Sequence, residues 1–371
     1  MTAVGADLDG GGPGGGERRL GLVGAGWVAH QHAAGIAAAC AGRARVVAVC
    51  DPDAAAREAF CRQHPGTAAH AGVAGMLAEE GLDALLVLTP PAVRDEVVDP
   101  ALAAGVPLLV EKPFAATGAH AAELVRRAEA AGVPLAVSQN FRWFPEQQWV
   151  AARLRDAGLG APHLLEHRSF QDRPQAPGVW RAREQRLEMA IFSVHLVDRL
   201  QWLAPTPPRT VSALTRRDPA TGLPGEQLSA LLVQFEDDLV ATMTSSWRAR
   251  ALPVQELRVD AEGGSLRARR EQPMHGPAAA ALQRRGEAVQ EVVFDDDGPT
   301  TRARLSYGAS TAALLDALDT GAEPVHSGRD NLRTMGVMEA AYLSAARGGA
   351  PVEVEEALGG VVLAGGGAAW R

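Results

Sequence analysis

The stretch LGLVGAGWVA, residues 20–29, decides the fold of this chain. Its first four residues are typical of a buried strand, and the other six follow the pattern G-x-G-x-x-A. In this pattern the first glycine permits a tight turn, the second lets the backbone approach a pyrophosphate, and the small last residue allows close helix–strand packing. The N–H groups at the start of the next helix then face the phosphates. The expected dinucleotide-binding turn consists of Gly24, Gly26, Trp27, Val28 and Ala29.

An acidic residue follows this turn at a suitable distance. Asp51 comes 22 residues after Ala29, directly behind the apolar run 46–50. A carboxylate at this place can hydrogen-bond ribose hydroxyls and repels a 2′-phosphate. Arg57 lies more than a helical turn further on, so the position favours NAD, with NADP as the alternative. The other interpretation of Asp51 is a loop cap after a strand.

Strand-like and helix-like runs alternate from Arg18 to about Pro145. This alternation is typical of a parallel sheet with helices on both faces. We therefore predict a doubly wound α/β Rossmann domain over residues 18–145. The predicted strands are 20–23, 46–50, 84–88, 106–110 and 135–137, with helices that include 33–40, 54–60 and 119–131.

The pattern changes after Pro145, where short strand-like runs with turn signals follow one another. Such runs are typical of an antiparallel sheet. Residues 146–357 are therefore predicted to form an α+β domain with a large, open, mainly antiparallel sheet, on which the basic run 267–270 is an exposed turn. The predicted helices are 149–157, 188–203, 310–318 and 332–346. Residues 1–17 predict a disordered glycine-rich tail, and residues 358–371 a C-terminal tail.

The composition argues against several classes of protein. A chain of 371 residues with 47% hydrophobic and 22% charged residues is an ordinary globular protein, and a net charge of −8 is unlike that of a nucleic-acid binder. No apolar stretch has the length of a membrane span, and the N-terminus is unlike a signal peptide. Cys40, Cys50 and Cys61 lack metal-ligand spacing. We therefore expect a cytoplasmic protein with reduced thiols and without nucleic-acid, membrane or metal partners.

Lys112 is the only lysine among the 36 lysine and arginine residues. A position that keeps lysine against such a bias needs a compact ammonium whose pKa responds to burial, which a guanidinium cannot supply. It follows the apolar run 106–110, at the carboxyl end of a predicted strand, where α/β sheets bind ligands. The alternative is chance retention of a surface lysine, and the strand context favours a functional residue.

Three motifs together resemble one known family. With the glycine-rich turn, Thr89-Pro90-Pro91 and Glu111-Lys112-Pro113, the chain resembles the glucose-fructose oxidoreductase / inositol dehydrogenase (Gfo/Idh/MocA) family over residues 20–354. The resemblance implies a Rossmann domain followed by a domain with a large open sheet. It also implies NAD(P)-dependent hydride transfer to or from a secondary alcohol or ketone of a sugar, cyclitol or related polyol. Assembly as a homodimer or homotetramer is a further implication.

The resemblance also implies roles for individual residues. Lys112 hydrogen-bonds the reacting oxygen, where an ammonium stabilises alkoxide charge, and His195 handles the hydroxyl proton, since imidazole titrates near neutral pH. Asp198, three residues after His195, is expected from this spacing to hold the imidazole, whereas the resemblance itself implies a structural role for this aspartate. The expected cofactor contacts are Gly24, Gly26, Trp27, Val28, Ala29, Asp51, Thr89, Pro90, Glu111, Lys112 and Asn140. The expected substrate contacts are Arg142, Gln171, Trp180, Arg181 and His195.

The chain departs from the family pattern at two positions. Ile191 stands four residues before His195, where the family usually has a carboxylate, and Arg94 stands where it often has histidine. Rival functions therefore stay open: a reductase of another carbonyl or imine, an NAD-redox-cycling glycoside hydrolase, or a non-catalytic nucleotide-binding protein. Arg142 either binds a polar substrate group or pairs with a helix carboxylate. For each residue of 171–181, a solvated loop is the alternative to a sugar site.

Overall fold

The computed structural model describes residues 16–176, 178–272, 276–295, 301–363, 365, 367 and 369. The predicted tail 1–17 therefore lies outside the described residues, except for Gly16 and Glu17. The strands of the described part are β1 Arg18–Val23, β2 Ala44–Cys50, β3 Ala68–His70, β4 Ala84–Val87, β5 Leu108–Glu111, β6 Leu135–Ser138, β7 Pro162–Phe170, β8 Pro208–Arg216, β9 Leu228–Phe235, β10 Val240–Ser246, β11 Val254–Ala261, β12 Gly264–Arg270, β13 Ala278–Arg284, β14 Gln290–Phe294 and β15 Val352–Glu353.

The helices lie between and around these strands. They are α1 Trp27–Ala39, α2 Ala54–Gln63, α3 Val73–Glu80, α4 Arg94–Ala103, α5 Gly118–Ala130, α6 Pro145–Asp156, α7 Val194–Leu203, α8 Thr301–Thr320, α9 Gly328–Ala346 and α10 Val354–Ala357. A five-residue π-helix, Met189–Ser193, leads directly into α7. No helix in these ranges is both long and apolar enough to cross a membrane.

The first sheet confirms the predicted doubly wound Rossmann fold. In the described residues it has six parallel strands in the order β3-β2-β1-β4-β5-β6. The chain leaves β1 in one direction and returns to β4 on its other side, which creates the crevice where such sheets bind ligands. The four residues of β4 are all buried, because helices cover both faces of the sheet.

The second sheet confirms the predicted open, mainly antiparallel sheet. Its order is β14-β13-β12-β11-β7-β10-β9-β8-β15 in the described residues, and only β7 and β10 run parallel. The interpretation of 267–270 as an exposed turn is wrong, since these residues belong to β12. Alternation along the strand buries Leu266, Ala268 and Arg270, and Arg270 lies over the ring of Phe144 at 4.1 Å.

The C-terminal helices pack back onto the Rossmann sheet. Helix α8 crosses α1 so closely that a Cβ on Gly308 would lie 2.1 Å from the carbonyl oxygen of Gly35. Leu314 and Leu315 of α8 join the apolar core beneath α1. Past residue 358, the N–H of Gly367 donates to Ala204 O at 2.8 Å. The domain boundaries that we expect from the sequence stay predictions.

Candidate active site

The turn after β1 has the shape of a pyrophosphate cradle. Gly24 has φ +105°, and a Cβ there would lie 3.2 Å from the backbone of Leu88, so the tight turn requires glycine. A Cβ on Gly26 would meet only open space. Gly26 caps α1 without a side-chain hydrogen bond, and since the N–H of Ala29 donates to Gly26 O at 3.0 Å, the N–H groups of Trp27 and Val28 are the ones available to a ligand. These residues therefore fit the phosphates of a dinucleotide.

Asp51 is anchored beside this turn. Its Oδ2 accepts from the N–H of Ala25 at 2.8 Å, and its Oδ1 accepts from the N–H of Asp53 at 2.9 Å. Arg57 is closer than its sequence separation indicates, because α2 turns its Nη1 back to donate to the carbonyl of Asp51 at 2.5 Å. The guanidinium of Arg57 thus lies against the backbone of Asp51, and the expected ribose contact of the Asp51 carboxylate stays a prediction.

We expect Asp51→Ala to weaken NAD binding by about 10- to 100-fold, the value of one or two hydrogen bonds to a charged group. NADP should lose less or gain, because Arg57 stays and the repelling carboxylate is gone. Fluorescence titration of the two reduced cofactors measures both affinities. Asp53→Ala is the matched control, since Asp53 caps α2 through the N–H of Ala55 at 2.9 Å. Equal losses for both cofactors in Asp51→Ala would contradict this role.

Several buried polar atoms at the carboxyl ends of β4 and β6 have no hydrogen-bond partner in the described residues. They are Thr89 Oγ1, Gln139 Nε2 and Asn140 Oδ1. Buried polar groups are normally paired, so unpaired ones in a crevice favour contact with a bound ligand. The other amide atom of Asn140, Nδ2, donates to Ser306 Oγ at 2.9 Å, which fixes the side chain. Thr89 and Asn140 therefore fit the expected cofactor contacts, which stay predictions.

Lys112 contacts the π-helix. Its Nζ donates to the backbone carbonyl of Ile191 at 3.0 Å, so a main-chain oxygen is the acceptor at the position that lacks a carboxylate. Burial, with the nearby Arg173 and Arg181 guanidinium groups, lowers the pKa of Lys112 to about 8. The ammonium is therefore mostly charged at neutral pH but loses its proton about 300-fold more readily than a free lysine.

His195 is held by a residue that the sequence reasoning missed. Its Nδ1 lies 3.1 Å from Oε1 of Gln139, and its ring stacks on Phe141 with centroids 4.0 Å apart. An amide oxygen accepts from Nδ1–H, so Nε2 keeps its lone pair. Burial and the positive charges of Lys112, Arg199 and Arg173 lower the pKa of His195 well below its usual value. The imidazole is therefore neutral at physiological pH.

The sheet register brings Lys112 and His195 together. Glu111 of β5 pairs with Ser138 of β6, so the residues that follow them, Lys112 and Gln139, leave the sheet side by side. Gln139 contacts His195, and Lys112 contacts Ile191, one helical turn before His195. Ammonium and imidazole thus converge at the carboxyl end of the Rossmann sheet.

Asp198 does not hold His195, so that prediction is wrong. Both its oxygens accept from Arg142, at 2.6 Å each, and Thr334 Oγ1 donates to it at 3.1 Å. Arg142 also pairs with Asp330 at 2.8 Å. All three charged side chains are buried. Of the two interpretations of Arg142, the structure supports the helix carboxylate, and the expected substrate contact is wrong because the guanidinium is already engaged.

Glu111 and Arg94 brace the strand ends. Glu111 Oε1 lies 2.9 Å from Nε2 of His32 in α1, and its cofactor contact stays a prediction. Arg94 is fully buried and donates to the carbonyls of Val87 at 3.1 Å, Glu111 at 2.9 Å and Pro113 at 2.9 Å. Arginine at this position therefore ties β4 to the chain around Lys112. Pro90 is exposed and immediately precedes a short 3-10 helix, Pro91–Val93.

Glu188 lies under the π-helix in a cluster of hydroxyl groups. Ser193, Ser229 and Ser245 each donate to its carboxylate at 2.6 Å. Burial raises the pKa of Glu188 to about 7 against the effect of these hydrogen bonds, and the neighbouring Glu226 adds to the rise. The carboxylate is therefore partly protonated at neutral pH and is a weak source of negative charge for the site.

A raised pKa makes Glu188 a source of pH-dependent stability. The protonated form of Glu188 is favoured in the folded state. The stabilisation that this gives the fold is complete below about pH 4.5 and is lost as pH rises through about 7. We expect wild-type unfolding free energy to fall by about 3 kcal/mol relative to Glu188→Gln across this range. Urea unfolding at several pH values measures the difference. The exposed Glu58→Gln serves as control, and parallel curves for wild type and Glu188→Gln would refute the shift.

The loop 171–181 contributes cationic side chains to the site. Arg173, which was predicted only as part of the stretch 171–181, and the expected Arg181 both act on the charge of Lys112. Trp180 is 41% exposed, and Arg181 lies over its ring at 5.9 Å. Gln171 is buried, with Nε2 unpaired in the described residues. The substrate contacts of Gln171, Trp180 and Arg181 stay predictions.

Two functional candidates, Gln139 and Glu188, were not predicted from the sequence, and Arg173 was predicted only as part of the stretch 171–181. Gln139 has a sequence signal, since it is a polar residue directly after a fully buried strand. The described residues contain no cluster of three potential metal ligands.

The fold and the site together define an NAD-dependent oxidoreductase. Residues 18–139 match the model of the oxidoreductase family with an NAD-binding Rossmann fold, and residues 148–267 match the GFO/IDH/MocA C-terminal domain. The chain belongs to the Gfo/Idh/MocA family. It is 30% identical over 322 residues to D-apiose dehydrogenase of Paraburkholderia graminis, which covers 82% of each chain. It is 28% identical over 305 residues to inositol 2-dehydrogenase of Leifsonia xyli subsp. xyli, covering 82% of this chain and 85% of that one.

A solved structure has the same fold. An oxidoreductase from Agrobacterium radiobacter, crystallised with NAD+, L-tartaric acid and magnesium, superposes with a TM-score of 0.82 at 24% identity. The match covers 92% of this chain and 99% of the other. At this identity the likeness supports the fold.

Proposed function

We propose that this protein transfers hydride between NAD and a secondary alcohol or ketone of a sugar, cyclitol or related polyol. The convergence of Lys112 and His195 beside the nucleotide crevice carries the proposal. The dehydrogenase names of the similar proteins, for D-apiose and inositol, support the substrate class.

Each residue has a defined task in this proposal. The bound nicotinamide supplies the hydride acceptor. Lys112 donates a hydrogen bond to the substrate oxygen and stabilises its developing negative charge. His195 accepts the hydroxyl proton at Nε2, while Gln139 holds its Nδ1 proton in place. Asp51 holds the adenosine ribose, and the turn from Gly24 to Ala29 holds the phosphates.

The test is NADH formation, followed by absorbance, with apiose, inositol isomers and linear polyols. The proposal predicts turnover with at least one of them and its loss in His195→Asn. NADH binding without any turnover, in either direction, would indicate the non-catalytic alternative. A cofactor that stays bound through purification, together with glycoside hydrolysis and no net NADH, would indicate the redox-cycling hydrolase.

We further propose a cytoplasmic homodimer or homotetramer built on the open face of the second sheet. Large apolar side chains are exposed on these strands: Leu214 is 59% exposed, Leu232 45% and Val293 62%. Exposed apolar groups on one face favour an interface. The three cysteines are free thiols, which supports a reducing compartment. Analytical ultracentrifugation tests the assembly, and a monomer at micromolar concentration would contradict it.

A further inference from the structure

Three cationic side chains converge where the substrate of this enzyme would react. Lys112 contacts the π-helix at Ile191, and the next residue, Phe192, lies under the guanidinium of Arg173 at 5.3 Å. Gln175 links the third cation, because it donates to Arg173 O at 3.2 Å and accepts from Arg181 Nε at 3.3 Å.

Arg173 is held rigidly by aromatic rings. Its guanidinium lies over Phe192 at 5.3 Å and over Trp247 at 4.9 Å, and the backbone N–H of Arg173 donates to the carbonyl of Trp247 at 3.0 Å. Cation–π contacts orient a guanidinium but leave its five N–H donors free for hydrogen bonds. In the described ranges neither Arg173 nor Arg181 forms an ion pair with a carboxylate, unlike the engaged Arg142.

The protein supplies negative charge to Lys112 but little to the two arginines. Ile191 occupies the place of the usual carboxylate and meets Lys112 through its backbone carbonyl, and the buried Glu111 next to Lys112 supplies a carboxylate. Glu188 is the carboxylate that acts on Arg173, but three serines hold it and it is partly protonated at neutral pH. Mutually close cations that are partly desolvated are unfavourable unless an anion joins them. A ligand can supply that charge.

We propose that the natural substrate is an anionic polyol, one that bears a carboxylate or a phosphate ester near the reacting carbinol, and that Arg173 and Arg181 bind this anionic group. The inference rests on the proposed oxidoreductase function. A planar guanidinium binds carboxylate and phosphate oxygens in pairs, which gives both affinity and orientation. The bound anion would also favour protonation of His195, whose imidazolium the cations otherwise oppose.

The experiment has three arms: a neutral compound, a carboxylate and a phosphate ester. The first set is sorbitol, gluconate and sorbitol 6-phosphate, and the second set is glucose, glucuronate and glucose 6-phosphate. NADH formation gives kcat/KM, and calorimetric titration of the enzyme–NADH complex gives affinity without turnover. We expect the anionic members of a set to exceed the neutral member by about 10-fold or more in kcat/KM or affinity, the effect of a charge-assisted hydrogen bond. The arm that is preferred identifies the anion.

Arg173→Gln is expected to lower the ratio of anionic to neutral kcat/KM by about 10- to 100-fold. Arg173→Lys keeps the positive charge but loses the planar, two-pronged donor geometry of the guanidinium, so it should retain part of the ratio. Arg153→Gln is the matched control, since Arg153 also lies over an aromatic ring, Trp149 at 5.5 Å, but on the exposed side of α6. Thermal unfolding of each variant confirms that it is folded.

The outcomes separate this inference from the proposed function. Turnover of neutral and anionic members with equal kcat/KM, and a ratio unchanged in Arg173→Gln, would overturn the anionic substrate while the oxidoreductase stands. If no compound is turned over, calorimetry decides: binding of gluconate, glucuronate or the phosphates that Arg173→Gln weakens supports the anion site, and absence of binding overturns it.

Discussion

Lys112→Arg is expected to keep its fold and lower kcat by about 10²- to 10³-fold, the effect of removing a single donor to a developing oxyanion. A guanidinium is wider and forked, so it cannot occupy the place of Nζ against the carbonyl of Ile191 at 3.0 Å and still reach a substrate oxygen. Steady-state NADH formation measures the loss. The exposed Arg126→Lys, on α5, is the reciprocal control, and near-normal kinetics in Lys112→Arg would refute the role.

The single lysine also permits a direct measurement. Reductive methylation with ¹³C-formaldehyde labels only Lys112 and the chain's α-amino group, because no other lysine exists. We expect the Lys112 signal to titrate near pH 8, since burial and two guanidinium groups lower its pKa to about 8. A titration near the value of a free lysine would place the amine in solvent.

The second large effect concerns Asp198. We expect Asp198→Asn to lower the free energy of unfolding by about 3 to 5 kcal/mol, because the buried guanidinium of Arg142 then keeps only one of its two carboxylate partners. Urea unfolding measures the loss. Asp319→Asn is the control, since its pairs with Arg18 and Arg43 lie at the surface and are each worth about 1 kcal/mol at most.

The kinetics of Asp198→Asn distinguish a structural from a positioning role. Because Gln139 and not Asp198 contacts His195, the pH profile of the folded variant should match the wild type, whereas Gln139→Leu should change it. A stable Asp198→Asn enzyme with a displaced pH optimum would restore Asp198 as the partner of His195.

The Rossmann domain is readable from the sequence because its signals are local. The glycine pattern of 24–29 is a requirement of one turn, and strands such as β4 and β5 are buried on both faces, so each appears as an apolar segment. The short, partly exposed β3 gives no such signal. The second sheet is harder to read. Strand β7 is central, yet it carries Glu166 and Arg168, because its outer face is not covered by a helix, and His167 lies among the buried residues of its inner face. The run 267–270 was interpreted as a turn for the same reason, because Arg267 and Arg269 of β12 point to the uncovered face of the sheet.

The amino-acid sequence by itself determined the nucleotide turn and the family and made Lys112 a candidate, since turn chemistry and a unique lysine are properties of the chain alone. Only the tertiary structure decided the partners: Gln139 for His195, Arg142 for Asp198, and two aromatic rings for Arg173. Each of these pairs joins elements far apart along the chain. Their contact depends on how the two sheets and the π-helix pack in three dimensions, which no local periodicity encodes.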